Sequence, residues 1–148
     1  MLRFDHVGLV VDDLDAATDF FVGLGFEREG RTVVDGEVVD KINGLDGVRA
    51  ELEMVRTPDR TGRLEIIKYH SPADGNGAQP LPPNRHGLRH ICVEVDDLNA
   101  TVEELGEKGF HPVGEVQDYG NVYRLAYVRG PEGLIVEFAQ KLASGASG

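Results

Sequence analysis

The chain contains one cysteine, Cys92, so an intrachain disulfide is impossible and no secreted disulfide scaffold is implied. Basic residues are few: 15 Lys and Arg stand against 26 Asp and Glu, and the net charge of −11 argues against binding to nucleic acid or to an anionic membrane. No apolar run approaches the roughly 20 residues that span a bilayer, and the N-terminus lacks a basic-then-apolar signal pattern. We therefore expect a cytoplasmic protein with no nucleic acid and no membrane as partner.

What the chain does contain is an internal repeat. The segment from Phe4 to Leu14 returns without a gap 84 residues later, from Leu88 to Leu98. Each copy carries one histidine at the same place, His6 in the first and His90 in the second. Two copies with equivalent histidines indicate two half-sites that converge on one metal or ligand.

The hydrophobic pattern predicts the element order β-α-β-β-β in each copy. In the first copy it predicts strands over residues 4–11, about 26–33, 48–57 and 63–70 and a helix over 14–24; in the second, strands over 88–95, 112–116, 122–129 and 134–140 and a helix over 98–108. Glycines and turn residues from Asp35 to Gly47 predict an irregular excursion there. The fold class expected is α+β: two paired βαβββ modules forming a curled mixed sheet around a shared concave face, with the helices outside.

The same pattern predicts the domain organisation. Residues 1–70 form the first module and residues 88–142 the second, within one domain overall. Residues 71–87, which hold four of the seven prolines, form the connection, either a lid or a tether. The small polar tail, residues 143–148, is expected to be flexible.

Strand parity predicts where the two histidines point. Alternate apolar residues of the two histidine strands form faces that must lie against the helices: Val7, Leu9 and Val11 in one copy, Ile91, Val93 and Val95 in the other. His6 and His90 therefore project from the opposite faces. One such histidine alone is more often a structural residue than a metal ligand. Two equivalent histidines could still be structural residues that make the same hydrogen bonds in each copy.

Two carboxylates favour ligation over that alternative. The last strand of each copy carries one acid among apolar residues, Glu65 in the first and Glu137 in the second. An ionised carboxylate there is costly unless it is paired or metal-bound. A salt bridge to Arg63, Lys68 or Arg124 would explain either glutamate alone, but not the same placement twice. Two imidazoles and two carboxylates predict a divalent metal site suited to Zn, Ni, Co, Mn or Fe.

Several of these segments resemble the vicinal oxygen chelate superfamily, which includes glyoxalase I, methylmalonyl-CoA epimerase, fosfomycin-modifying transferases, extradiol dioxygenases and bleomycin-type resistance proteins. The segments are Asp5-His6-Val7-Gly8-Leu9, Arg63-Leu64-Glu65-Ile66, Leu88-Arg89-His90-Ile91 and Gly130-Pro131-Glu132-Gly133 before Glu137. The resemblance covers Leu2 to about Leu142. It implies a metal bound by His6, Glu65, His90 and Glu137 and, as in many small members, a homodimer.

The resemblance also implies a class of reaction. A metal with open positions would hold oxygens of a small oxygen-rich substrate and stabilise an enediolate- or enolate-like intermediate, so we predict a glyoxalase-type isomerase, lyase or epimerase. Glu137, Glu65 or Glu53 would serve as the base. Glu53 lies where the epimerase subgroup carries a base, the alternative being a solvated edge carboxylate, and epimerases usually have Gln where this chain has Glu65. The alternatives are an antibiotic-sequestering resistance protein and an extradiol dioxygenase. Both are disfavoured because His or Glu residues occupy all four ligand positions.

Overall fold

The computed structural model describes residues 1–142, which divide into two compact units, one spanning Met1–Ala78 and the other beginning at Gln79. The first unit contains β1 (Val7–Val10), α1 (Leu14–Leu24), β2 (Glu27–Asp35), α2 (Glu37–Asn43), β3 (Arg49–Arg56) and β4 (Arg63–Ser71). The second contains β5 (His90–Glu94), α3 (Leu98–Glu107), β6 (Gln117–Tyr119), β7 (Tyr123–Arg129), a 3-10 turn (Pro131–Gly133) and β8 (Ile135–Lys141). The predicted tail, 143–148, lies outside the described residues.

Each unit is built around one four-stranded mixed sheet, with strand order β1-β4-β3-β2 in the first and β5-β8-β7-β6 in the second. In both, the first strand runs parallel to the last, and the other neighbours are antiparallel. The sheets are not closed. This shared topology confirms the α+β class and the paired βαβββ modules. In the described residues, no helix is long and apolar enough to cross a membrane.

The first helix of each unit starts in the same way. The Asp13 carboxylate accepts a hydrogen bond of 2.9 Å from the Ala16 amide, and the Asp97 carboxylate accepts one of 3.0 Å from the Ala100 amide. These caps satisfy one amide that the first helical turn leaves without a partner. At the other end of α1, Gly25 adopts a φ of 117°, which a side chain would disfavour. The two ends explain why the predicted span of α1 matches the structure.

Each helix covers one face of its own sheet. Helix α1 packs against β3 and β4, and α3 packs against β7 and β8. The core of the first unit consists mainly of Leu14, Ala17, Phe20, Phe21, Val55, Leu64 and Ile66, and that of the second of Leu98, Leu105, Ala126, Val128, Val136 and Phe138. Burial of these apolar side chains is the main stabilising contribution within each unit. The remaining face of each sheet is free of its own first helix.

The structure corrects two local predictions. The excursion from Asp35 to Gly47 contains helix α2, none of whose residues is buried. The second unit has only a short turn at the corresponding place, so α2 accounts for the extra length of the first copy. The predicted strand over 112–116 is wrong, since Pro112 makes only an isolated bridge to Val128 and β6 begins at Gln117. Both segments are largely exposed, and an exposed element leaves little apolar periodicity to read.

Candidate functional site

The first unit places His6 and Glu65 on the same face of its sheet. Gly8 lies opposite Glu65 in the parallel pair of β1 and β4, and His6 is two residues before Gly8, so both side chains project to one side. His6 Nε2 lies 3.9 Å from Glu65 Oε2. The residues on either side of Glu65, Leu64 and Ile66, are buried on the other face with α1. Parity therefore gave the correct side for His6.

A carboxylate fixes the orientation of the His6 ring. His6 Nδ1 lies 2.6 Å from Asp5 Oδ2, and Arg63 Nη1 lies 3.3 Å from the same oxygen. The hydrogen bond from His6, with the charge of Arg63, lowers the pKa of Asp5 below its ordinary value. An ionised Asp5 can only accept, so Nδ1 carries the proton. In the neutral ring the lone pair is then on Nε2, the nitrogen nearer Glu65, as a metal-binding imidazole requires.

The second unit contains the equivalent pair. His90 Nε2 lies 3.2 Å from Glu137 Oε1. Cys92 lies opposite Glu137 in the pair of β5 and β8, and Tyr127 lies opposite Glu137 in the pair of β7 and β8, so all three project to one face. The Tyr127 and His90 rings are 4.8 Å apart between centroids. Tyr127 therefore packs against the imidazole of the pair.

Cys92 has the properties of a hydrogen-bond donor to this pair. Cys92 is exposed as a whole residue, but partial burial of its sulfur, with the negative charge of Glu137 and a hydrogen bond to it, raises the pKa of the thiol to about 11. At neutral pH the sulfur stays protonated, and it donates to the Glu137 carboxylate. A protonated thiol is a poor metal ligand and a poor nucleophile.

Next to the second pair is a pocket of about 410 Å³. Its residues come from β6, β7, β8, the loop before β6 and the segment before β5: Pro83, Val113, Gly114, Glu115, Gln117, Leu125, Ala126, Tyr127 and Glu137. This volume lies within the usual range of roughly 300–1,000 Å³ for small-molecule sites. The glutamate of the second pair thus faces a space large enough for a small ligand.

Glu53, the third candidate base, does not share the sheet face of Glu65. Its strand partner is Ile66, whereas the partner of Glu65 is Met54, so Glu53 and Glu65 project to opposite faces. Glu53 is only 2% exposed, and its Oε1 lies 2.9 Å from Arg28 Nη1 and 3.6 Å from Arg31 Nη2. The alternative, a solvated edge carboxylate, is wrong, because β3 is an inner strand and the Glu53 carboxylate is buried in an ion-pair cluster.

The structure thus brings the predicted site residues together as two pairs, one in each unit. Among residues 1–142, no group of three or more His, Cys, Asp or Glu side chains is placed to hold a metal ion. Each unit by itself offers one imidazole nitrogen and one carboxylate. Two donors are half of the four that a closed tetrahedral site uses.

Sequence reasoning missed several residues of this neighbourhood. Asp5 was not assigned a role, although a carboxylate directly before a strand histidine is a usable signal for a ring-orienting partner. Glu115 and Gln117 line the pocket from a segment that the sequence reading placed partly in a strand. Their alternation around Val116 was the available signal, but nothing in it indicated a pocket.

Comparison with known proteins identifies the family. Residues 3–138 match the family model of the Glyoxalase/Bleomycin resistance protein/Dioxygenase superfamily. The match covers most of the chain, and the paired βαβββ modules agree with it. The chain belongs to this superfamily, whose members bind small molecules and commonly use divalent metals.

Individual relatives extend the comparison. The fold is similar to the crystal structure of a glyoxalase family protein from Bacillus cereus, with a TM-score of 0.92, 36% identity and coverage of 97% of this chain and 96% of that one. The chain is 27% identical over 145 residues to the mitochondrial methylmalonyl-CoA epimerase of Homo sapiens, covering 93% of this chain and 73% of the epimerase. It is also 27% identical over 146 residues to the uncharacterized protein YwbC of Bacillus subtilis (strain 168), covering 94% of this chain and 98% of YwbC.

A more distant structure shares the fold alone. It is a glutamate-to-glutamine mutant of the fosfomycin resistance protein FosX from Listeria monocytogenes, complexed with Mn(II) and 1S,2S-dihydroxypropylphosphonic acid. Its TM-score is 0.63 at 12% identity, with coverage of 98% of this chain and 94% of that one.

Proposed function

We propose that the chain is a metal-dependent isomerase, lyase or epimerase of the glyoxalase type that acts on a small oxygen-rich substrate. The observation that carries the proposal is the duplicated His–Glu pair. His6 and Glu65 in one unit, and His90 and Glu137 in the other, lie on the sheet face opposite the first helix of their unit. A salt bridge or a structural histidine would account for one pair, but not for its repetition at equivalent positions.

The donor atoms of the two pairs fit a divalent ion. Two imidazole nitrogens and two carboxylates form a mixed set that Zn, Ni, Co, Mn or Fe accepts. At His6 the hydrogen bond to Asp5 leaves Nε2 as the free nitrogen. When bound, such an ion would act as a Lewis acid that stabilises negative charge on a substrate oxygen.

Glu137 is the residue best placed to act as the base. It lines the pocket, and its side chain is 17% exposed, so a substrate carbon in the pocket could reach it. The Cys92 thiol holds the carboxylate by donating a hydrogen bond to it. Removal of a proton from a carbon beside a carbonyl, and its return, is the step that isomerases, lyases and epimerases of this type need. Glu65, the second candidate base, has the equivalent position in the first unit.

The decisive experiment measures metal stoichiometry by elemental analysis and calorimetric titration with Zn²⁺, Ni²⁺, Co²⁺, Mn²⁺ and Fe²⁺. We expect one ion per chain, lost in His6→Gln and equally in His90→Gln. His70→Gln is the matched control, because His70 Nε2 lies 3.3 Å from Glu51 Oε1 in a similar pair on another face. No bound ion, or two ions per chain each lost with only one pair, would refute a shared site.

Activity is tested by a screen of hemithioacetals, thioesters and catechols, with hydrogen exchange from deuterated water as the readout for proton abstraction. We expect Glu137→Gln to slow exchange by about 10²–10⁴-fold, the usual contribution of a general base. Glu51→Gln should leave the rate unchanged. Oxygen-dependent turnover of a catechol with bound iron would instead identify a dioxygenase.

One observation favours a second function, the sequestration of a small molecule without turnover. The pocket is lined largely by apolar side chains, which suits the retention of a small molecule. Ligand binding that persists in excess chelator, with the ligand recovered unchanged, would support it. The homodimer and the cytoplasmic location remain predictions, and sedimentation velocity tests the first.

A further inference from the structure

The pocket of the second unit has an unusual charge pattern. Two of its lining residues, Glu115 and Glu137, carry carboxylates, and no lysine or arginine is found among the described residues that line it. Gln117 adds an amide, while Pro83, Val113 and Leu125 supply apolar walls. The pocket thus combines apolar surface with negatively charged hydrogen-bond acceptors.

Nearby cations of the same unit are engaged elsewhere. Arg124 projects to the face opposite Leu125, and its Nε donates to Asp118 Oδ1 at 2.8 Å. Arg129 donates through Nη1 to the carbonyl oxygens of Leu81 and Gly133. Neither guanidinium lines the pocket, so neither is placed to balance an anion bound there.

Glu115 is available to a ligand. Its Oε2 accepts a long hydrogen bond of 3.4 Å from Gln117 Nε2, and among the described residues the structure gives Oε1 no protein donor. An ionised carboxylate accepts hydrogen bonds and cannot donate them. It therefore favours a hydroxyl or ammonium group and repels a second anion.

We propose that this pocket selects a neutral or cationic ligand that carries a hydroxyl or ammonium donor for Glu115, and that it discriminates against anionic groups such as carboxylates and phosphonates. The apolar part of the ligand packs on Pro83, Val113 and Leu125. Calling this ligand the substrate rests on the proposed function; the binding preference itself does not require a metal. Without a bound metal, the pocket therefore favours polyols, hydroxyketones and amino alcohols with an apolar portion.

The test uses three probes with the same ring: benzylamine, benzyl alcohol and benzoate. Binding to the full chain in excess EDTA is followed by the amide resonances of Gln117 and Leu125. We expect benzylamine to bind at least about tenfold more tightly than benzoate, with benzyl alcohol between them. In Glu115→Gln the ratio of amine to benzoate should fall to about threefold or less, whereas Glu103→Gln, an exposed carboxylate on α3, should keep it.

Benzoate binding as tightly as benzylamine would overturn the inference. So would the absence of shifts at both resonances with every probe, or an unchanged ratio in Glu115→Gln. Because the measurement is made without metal, these outcomes differ from failure of the proposed function, which the metal stoichiometry of His6→Gln and His90→Gln reports.

Discussion

The two units hold the same pair of donor atoms by different means. In the first, Asp5 accepts from His6, and Asp5 is itself held by Arg63, which donates through Nε to Glu29 Oε1 at 2.7 Å. In the second, the residue equivalent to Asp5 is Arg89, and His90 is supported by the Tyr127 ring. The first histidine is thus oriented by charge, and the second by packing.

The partner of the glutamate differs in a similar way. Opposite Glu65 the first unit has Gly8, whereas opposite Glu137 the second unit has Cys92, which donates to the carboxylate. The duplicated scaffold therefore fixes where the His and Glu side chains lie, and single neighbouring residues decide how each side chain is oriented. This difference leads to four measurable predictions.

The largest effect should come from the hydrophobic cores of the two units. Phe21 and Phe138 are both 0% exposed, one in each unit. Replacing either with alanine should lower the free energy of unfolding by about 3–5 kcal/mol, because a buried ring is lost and a cavity remains. Urea unfolding measures the change. Val10→Ala is the control, since Val10 is 60% exposed and its truncation should cost less than about 0.5 kcal/mol.

The second prediction concerns Cys92, which has no thiol counterpart in the first unit. With its pKa raised to about 11, the thiol is almost wholly protonated at pH 8, and the thiolate forms only as the pH rises toward 11. Alkylation by iodoacetamide at pH 8 should be about 100-fold slower than that of glutathione. Glu137→Gln removes the main nearby negative charge and should accelerate it. A rate equal to that of glutathione would contradict the hydrogen bond to Glu137.

The third prediction tests orientation by charge. Asp5→Asn should weaken metal affinity by about 10–100-fold, the usual effect of removing a partner that orients a histidine ligand. Arg89→Gln, at the equivalent position of the second unit, should change it by less than about threefold. Nitrogen-15 shifts of the His6 ring in metal-free protein give a readout independent of the metal. They should show the Nδ1-protonated form in the wild type and a lower population of it in Asp5→Asn.

The smallest effect should come from the two helix caps. Asp13→Ala and Asp97→Ala each remove one hydrogen bond to a first-turn amide, and each should cost about 1 kcal/mol in urea unfolding. Serine at either position should restore most of the loss. If the two losses of unfolding free energy differ by more than about 1 kcal/mol, the N-terminal caps of α1 and α3 are not energetically equivalent.

The sequence predicted those parts of the fold that short-range signals specify. The bounds of α1 follow from the Asp13 cap, the apolar spacing and Gly25. The side on which His6 and His90 lie follows from strand parity. Helix α2 was missed because its residues are exposed and glycines flank it, so its signals resembled those of a loop.

The site was predictable only in part, for a related reason. Glu53 was a candidate base only through its position relative to the epimerase subgroup, and the pairing of β3 with β4 placed it on the helix side with Arg28 and Arg31. The pocket beside Glu137 combines residues from β6, β7, β8 and two loops, and no single segment of the sequence indicates it.

By itself the sequence determined the repeat, the helix starts, the class of fold and the identity of the two His–Glu pairs, because capping and side-chain alternation act between residues close in the chain. Tertiary structure decided which nitrogen of His6 is free, which residues support each His–Glu pair and where the pocket lies. Those properties depend on contacts such as that of Asp5 with Arg63, which strand register creates between residues far apart in the chain.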